Sequence, residues 1–258
     1  MRVPIVAELS TSYGGDLDLA CRLIEQCAEV GADTIKCQSY QVRHLARTDP
    51  QYAWFTQAEL SDAAHERLIR CCQDHQVHFL TTVFHQDRVP FLAGLGLTQI
   101  KIGSGEAMRR RLIDAVAEHP WEVLLSTGLA TVQEIAHAVG VLGSRVMLLH
   151  CVSEYPTPVS HVNLCRIPWL RERFGVRVGY SDHTSGISAP AAAMAVGAEV
   201  VEIHVADPSG PRFKEWDRAL EEVMQLVDFR DELDQMTTLR PMGNPEGERP
   251  FVGRWIHA

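Results

Sequence analysis

Apolar, β-branched runs of strand length recur along this chain, and between them lie stretches in which apolar residues return every three or four positions. The runs fall at 3–9 (VPIVAEL), 33–38 (DTIKCQ), 77–84 (VHFLTTVF), 98–104 (TQIKIGS), 122–128 (EVLLSTG), 145–153 (RVMLLHCVS), 177–181 (RVGYS) and 199–205 (EVVEIHV). A continuous apolar run predicts a strand covered on both faces, and three-four spacing predicts an amphipathic helix. The intervening stretches, among them DLDLACRLIEQCAEVGA, LSDAAHERLIRCCQDH, TVQEIAHAVGVLG and ISAPAAAMAVGA, read as helices, several of them closing on glycine. NLCRIPWLRER at 163–173 is a less regular helix candidate, and MRRRL at 108–112 reads as a solvated helix start.

Strict β–α alternation predicts a parallel sheet, and eight units match the size of a single-domain (β/α)8 TIM barrel. The barrel is expected over 1–235, followed by a Pro/Gly-rich irregular tail over 236–258. A doubly wound open sheet satisfies the same alternation. Both arrangements collect ligands at the C-terminal ends of the strands.

Those ends carry Glu8, Lys36 with Gln38, Thr82, Lys101 with Ser104, Ser126 with Thr127, Ser153 with Tyr155, Ser181 with His183, and Glu202 with His204. A lone lysine or histidine at a strand end is ordinarily a solvated or hydrogen-bonded residue of no special consequence. Polar groups at all eight ends are different, because the interior of a parallel strand is otherwise apolar and an unpaired buried ammonium is costly. Two lysines with short hydroxyls suit a phosphate or carboxylate. Two histidines near carboxylates suit a divalent ion such as Mn2+ or Mg2+.

Composition narrows the partners. The chain has 258 residues, 46% of them hydrophobic, and a net charge of −9, which argues against a nucleic-acid or anionic-membrane surface while leaving room for a local anion pocket. Its seven cysteines form no CxxC pair, so a reduced, intracellular chain is expected rather than a disulfide framework. Cys37, Cys151 and Cys165 are expected to be buried structural thiols. MRVPIVAELS lacks a signal-peptide core and no apolar run approaches a membrane span, so a cytoplasmic protein is expected. GSGEA at 103–107 lacks the spacing of a dinucleotide or P-loop fingerprint.

The strand-end residues are set in longer strings: VAELSTSYGGDLDLACRLIEQCAEVGADTIKCQSYQ, HFLTTVF, IKIGSGE, LLSTGLATVQEI, LLHCVSEYPTP, VGYSDHTSGI and GAEVVEIHV. In these strings, over roughly residues 4–205, the chain resembles the sialic acid synthase family, a barrel family that condenses phosphoenolpyruvate with an amino-sugar aldehyde. The resemblance implies metal ligation by His183 and His204. It implies phosphoenolpyruvate binding by Lys36, Thr82, Lys101, Ser104, Ser126, Ser153 and Ser181, and catalytic roles for Glu8 and Glu202. Gln38, Tyr13, Tyr155 and Arg212 are expected on the acceptor side. A homodimer is the assembly the family suggests.

The chain departs from the family where the acceptor would sit. TSYGG replaces the usual Asn-His-Asn-Gly, placing Ser12, Tyr13 and Gly14 there. SGPRFKEWD puts Arg212 at the usual aspartate, with Asp217 or Asp207 as substitutes, and Ser153 stands where an asparagine is common. The family's C-terminal antifreeze-like domain is not expected in a chain of this length. The expected reaction is therefore a phosphoenolpyruvate-dependent synthesis, releasing phosphate, with an aldehyde acceptor other than N-acetylmannosamine, perceived through Arg212 as an anionic one. A metal-dependent aldolase or lyase on pyruvate-derived substrates and a non-catalytic anion-binding barrel are the alternatives.

Overall fold

The computed structural model describes residues 2–238. Eight parallel strands run in sequence order, β1 (Ile5–Ser10), β2 (Thr34–Ser39), β3 (His78–Val83), β4 (Gln99–Ile102), β5 (Glu122–Ser126), β6 (Val146–His150), β7 (Arg177–Asp182) and β8 (Val201–Val205). Pairing of β1 with β8 closes them into a barrel, which removes the open-sheet alternative. A two-residue strand, β9 (Asp217–Arg218), adds to β8 with His204 opposite Asp217.

Helices fill the outer layer: α1 (Leu17–Glu29), α3 (Asp62–Asp74), α4 (Val89–Gly94), α5 (Arg110–Ala117), α6 (Val132–Leu142), α7 (Arg166–Phe174), α8 (Ser188–Ala195) and α9 (Leu220–Thr237). A further short helix, α2 (Tyr52–Ala58), sits in the connection between β2 and α3. Local chemistry sets the starts. Asp16 accepts from the amides of Asp18 and Leu19 at 2.9 and 3.0 Å, and Thr131 with Glu134 forms a capping box at α6. Along α1, Leu19, Leu23, Ile24 and Cys27 form the buried stripe that the three-four spacing predicts. Helix α9 continues two residues past the expected barrel end at 235, and the rest of the expected tail lies outside the described residues. No described helix is long and apolar enough to cross a membrane.

The cysteine expectation needs correction. Cys21 of α1 and Cys71 of α3 form a disulfide, with Cα atoms 6.0 Å apart. The two helices are packing neighbours on the barrel wall, a proximity that a separation of 50 residues conceals. Cys37 and Cys151 are buried as expected, whereas Cys165 is exposed, because it lies just ahead of α7 on the surface.

The barrel interior is stratified. Val6, Leu80, Leu124, Leu149 and Val200 form an apolar plug, separate from the larger core between sheet and helices. Strand register then lifts the next inward-facing residues into one layer above the plug: Glu8 lies opposite Lys36, Thr82 opposite Lys101, and Ser181 opposite Glu202. The wall at the level of the plug tolerates no added bulk at Gly179 of β7, which lies opposite Leu149. A Cβ there would stand 2.6 Å from the Val200 carbonyl and 2.8 Å from Leu149 Cδ2. Gly179→Ala is expected to lower unfolding free energy by about 1–3 kcal/mol through overpacking, read as a shift in urea midpoint at unchanged slope. An unchanged midpoint would contradict this packing.

Candidate active site

A cavity of about 430 Å³ opens at the C-terminal end of the barrel, lined among others by Glu8, Lys36, Lys101, Ser126, His183 and Glu202. All residues expected to hold phosphoenolpyruvate (Lys36, Thr82, Lys101, Ser104, Ser126, Ser153, Ser181), both glutamates, both histidines, and Gln38 and Tyr155 reach it. Two expected acceptor residues do not. Tyr13 is fully buried beneath the first loop, its hydroxyl donating to the Ala58 carbonyl at 3.3 Å. Its ring fills space between the loop and α2 instead of facing the cavity. Arg212 lies over the Trp54 ring at 4.8 Å and donates to Gln51, so its charge is spent on α2 and its approach.

The floor is a chain of buried charges. Lys101 Nζ donates to both Glu202 carboxylate oxygens at 3.0 and 2.8 Å. Lys36 stands between the two carboxylates, 3.3 Å from Glu202 Oε1, in close contact with Glu8, and donating to Thr82 at 3.1 Å. Ser181 donates to Glu202 at 3.0 Å. Burial works to raise Glu202, but Lys101 and Lys36 together overcome it and hold this carboxylate far below its ordinary range. Glu8 moves the other way: burial raises it, outweighing the Lys36 ammonium in contact with it. Burial pulls Lys36 down, yet Glu202 and Glu8 outweigh this and raise it; for Lys101, burial assisted by Lys36 prevails and lowers it. Lys36 and Lys101 thus bring two ammonium groups to the cavity floor, where an entering anion meets them.

Hydroxyls and a thiol form a cradle beside Lys101. Ser153 donates to Ser104 at 3.1 Å, and Ser104 accepts from the Leu129 amide at 2.7 Å. These groups surround Gly128, where a Cβ would meet Ser153 Oγ at 2.7 Å, Cys151 Sγ at 2.8 Å and Ser104 Oγ at 3.0 Å. Glycine is needed there because these three side chains already fill the space a Cβ would take.

The histidines form the opposite wall. Their ring centroids are 5.4 Å apart, and Tyr155 lies against His183 at 4.0 Å. His183 Nδ1 donates to the Val152 carbonyl at 2.7 Å, which leaves Nε2 with its lone pair. His204 Nδ1 is buried without a hydrogen-bond partner, its nearest carboxylate being Asp217 at 3.9 Å. Asp207, the other substitute acid, is held in a turn by Ser209. Burial pushes His183 down to about 4 and His204 well below its usual value, so both imidazoles are neutral and competent as ligands. A separation of this size suits one ion with nitrogen bonds of about 2 Å, so the pair fits a divalent metal. A distinct trio, His44, His85 and Asp87, brings three ligand-type atoms within 4.8 Å among the described residues, but Arg43 already donates to His44 and Asp87 there.

Sequence reasoning missed Glu106, Phe84, Leu129 and Cys151 on the cavity wall. Glu106 is legible in the string IKIGSGE as a carboxylate in the turn just past the end of β4. Burial raises its carboxyl.

Residues 23–236 match the profile of the NeuB family. The chain belongs to this family. It is 38% identical over 234 residues to the N,N'-diacetyllegionaminic acid synthase of Campylobacter jejuni subsp. jejuni, covering 81% of this chain and 70% of that one. It is 32% identical over 223 residues to the enzyme of the same name from Legionella pneumophila, covering 78% and 63%. This NeuB-family chain thus spans roughly two thirds of the length of these relatives. Among solved structures it is similar to the N-acetylneuraminic acid synthetase of Leptospira borgpetersenii in complex with citrate, with a TM-score of 0.89 and 29% identity over 98% of this chain and 90% of that one.

Two outcomes follow from the site's geometry. Gly128→Ala is expected to weaken phosphoenolpyruvate binding at least tenfold in calorimetry, since its methyl pushes Ser104, Cys151 and Ser153 from their places on the cavity wall; unchanged affinity would place the anion elsewhere. The ring resonances of His183 and His204 are expected to remain those of neutral imidazole from pH 8 down to pH 5.5, because burial disfavours the charged form and moves the midpoint below this window. A midpoint near 6.5 would contradict the burial.

Proposed function

We propose that this cavity condenses phosphoenolpyruvate with a sugar-like aldehyde and releases inorganic phosphate. The observation that carries the reading is the juxtaposition, in one cavity, of a two-lysine floor, a hydroxyl cradle around Gly128 and a pair of neutral imidazoles. An anion with both carboxylate and phosphate needs two cationic contacts, and Lys36 and Lys101 supply them. The hydroxyls of Ser104, Ser126 and Ser153 donate to its remaining oxygens, and Thr82 and Ser181 brace Lys36 and Glu202.

Held in this way, the enol C3 of phosphoenolpyruvate attacks the aldehyde carbon and forms the new C–C bond, while the C=O π pair moves to the aldehyde oxygen, which takes a proton from solvent to become a hydroxyl. Water adds at C2 and gives up a proton. The C2–O bond to phosphate then breaks, leaving a ketone and inorganic phosphate. Glu8 is the group that takes the proton. Its raised carboxyl is the stronger base of the two, whereas Glu202 is tied to both lysines and serves to hold them. Lewis acidity toward a carbonyl oxygen is the chemistry a divalent ion brings when held by His183 and His204. Because the free protein donors are imidazoles and both carboxylates are engaged by lysine or burial, Mn2+ suits the pair better than Mg2+.

The acceptor differs from N-acetylmannosamine in this reading, since the first and last loops around the mouth are rewritten relative to the family. Arg212 no longer supports a choice of acceptor, because its guanidinium is committed to Trp54 and Gln51. A homodimer is the assembly that the family resemblance supports.

The test is phosphate release from phosphoenolpyruvate and a panel of aldehydes by the metal-loaded protein. Glu8→Gln keeps shape and removes the base, and is expected to slow release about 10²–10⁴-fold while phosphoenolpyruvate still binds in calorimetry. Release undiminished in this variant would overturn the assignment of the base, and release that needs no aldehyde would overturn the condensation.

A further inference from the structure

Two imidazoles can share one ion only while their separation is held, and here they stand on different strands, His183 just past the end of β7 and His204 on β8. A buried bridge spans those strands. Arg218 of β9, 1% exposed, forms a close pair with Asp182, the last residue of β7 and the one before His183. Since β8 lies between β7 and β9 in the sheet, the guanidinium reaches across it. The backbone of Arg218 is fixed by register, with Val205 opposite Arg218, His204 opposite Asp217, and the Ala206 amide donating to the Arg218 carbonyl at 3.2 Å. Arg218 Nη1 also donates to the Trp216 carbonyl at 2.6 Å, and the Trp216 ring packs on Tyr155, which lies against His183. Asp182 divides its oxygens: Oδ1 accepts from the Tyr180 hydroxyl at 2.8 Å and the Thr184 amide at 3.2 Å, and Oδ2 receives Arg218.

A buried ion pair is weak grounds for stability, because desolvation of both charges offsets their attraction. This pair is also incomplete, since Arg218 Nε is buried without a partner. What it does supply is a closed path from His204 through β9 to Arg218, Asp182 and His183. We infer that Arg218 and Asp182 are positioning residues for the imidazole pair, setting the separation of His183 and His204 and through it the affinity for a divalent ion. Neither side chain lines the reacting cavity, so both act through the histidines. This role rests on the reading of His183 and His204 as metal ligands. Groups that orient ligating imidazoles change metal affinity about 10–100-fold when replaced.

Metal and phosphoenolpyruvate are read separately, on the full chain. Free Mn2+ is counted by its electron paramagnetic resonance signal, and phosphoenolpyruvate is titrated calorimetrically in metal-free buffer. Arg218→Met removes the bridge and leaves Asp182 Oδ2 unpaired. Combining it with Asp182→Asn removes both charges and keeps Oδ1 for Tyr180 and Thr184, so this double variant carries the test should the single one fail to fold. In each, Mn2+ is expected to bind at least about tenfold more weakly, with phosphoenolpyruvate affinity unchanged. Arg218→Lys, which keeps a cation beside Asp182, is expected to bind Mn2+ more tightly than Arg218→Met. Wild-type Mn2+ affinity in the double variant would overturn the positioning role, and so would a parallel loss of both ligands, the mark of a merely structural pair. Absence of Mn2+ binding by wild type itself would instead overturn the reading of the histidines as metal ligands.

Discussion

Four charges lie side by side in the dry end of this barrel, and the rest of the site is arranged around keeping them paired. Glu8, Lys36, Glu202 and Lys101 are each at most 4% exposed. A single ammonium or carboxylate at such depth would neutralise itself rather than stay charged. Alternation down four strands supplies the solution. Strand neighbours bring Glu8 to Lys36 directly, and closure of the barrel brings Glu202 on β8 within reach of Lys101 on β4, across the interior. The pairing is unequal: Glu202 meets both lysines, whereas Glu8 meets Lys36 alone. That asymmetry sets the two carboxylates apart: burial raises Glu8, whereas the two lysines hold Glu202 low.

The apolar plug of Val6, Leu80, Leu124, Leu149 and Val200 makes the charged layer possible by excluding water from below. It also confines ligands to the upper side. The two halves of the mouth have different origins. The anion half stands on strand ends and the turns directly after them, so its geometry follows from register. The acceptor half is made from longer connections. The segment after β2 contributes Tyr40, Gln41 and α2, and the segment between β8 and β9 contributes Arg212 and Trp216, which packs on Tyr155 at 5.3 Å. Loops of this kind vary without disturbing the barrel. The buried pair of Arg218 and Asp182 ties the second of these segments to the strand carrying His183, so both histidines are held from the same side.

The anion half was legible in the sequence for a physical reason. A lysine inside an apolar run has no place in a parallel strand unless something buried receives it, and Lys36 and Lys101 both announce themselves in this way. Strand-end hydroxyls followed from the same logic. The errors came where backbone direction after the strand decides the outcome. Tyr13 and Arg212 occupy positions in the chain next to functional neighbours, yet one turns inward to fill a gap and the other lies flat on Trp54. Cys21 and Cys71 meet because α1 and α3 pack together, and Cys165 is exposed because it precedes a surface helix; neither fact has a local signal.

By itself, the sequence determined the eight-fold alternation, the level at which polar groups interrupt the apolar strands, and the residue types available there, because periodicity and burial cost are written along the chain. Only the tertiary structure decided closure rather than an open sheet, which glutamate the two lysines share, and which loop residues face the cavity. Those depend on distances between strands and helices far apart in sequence.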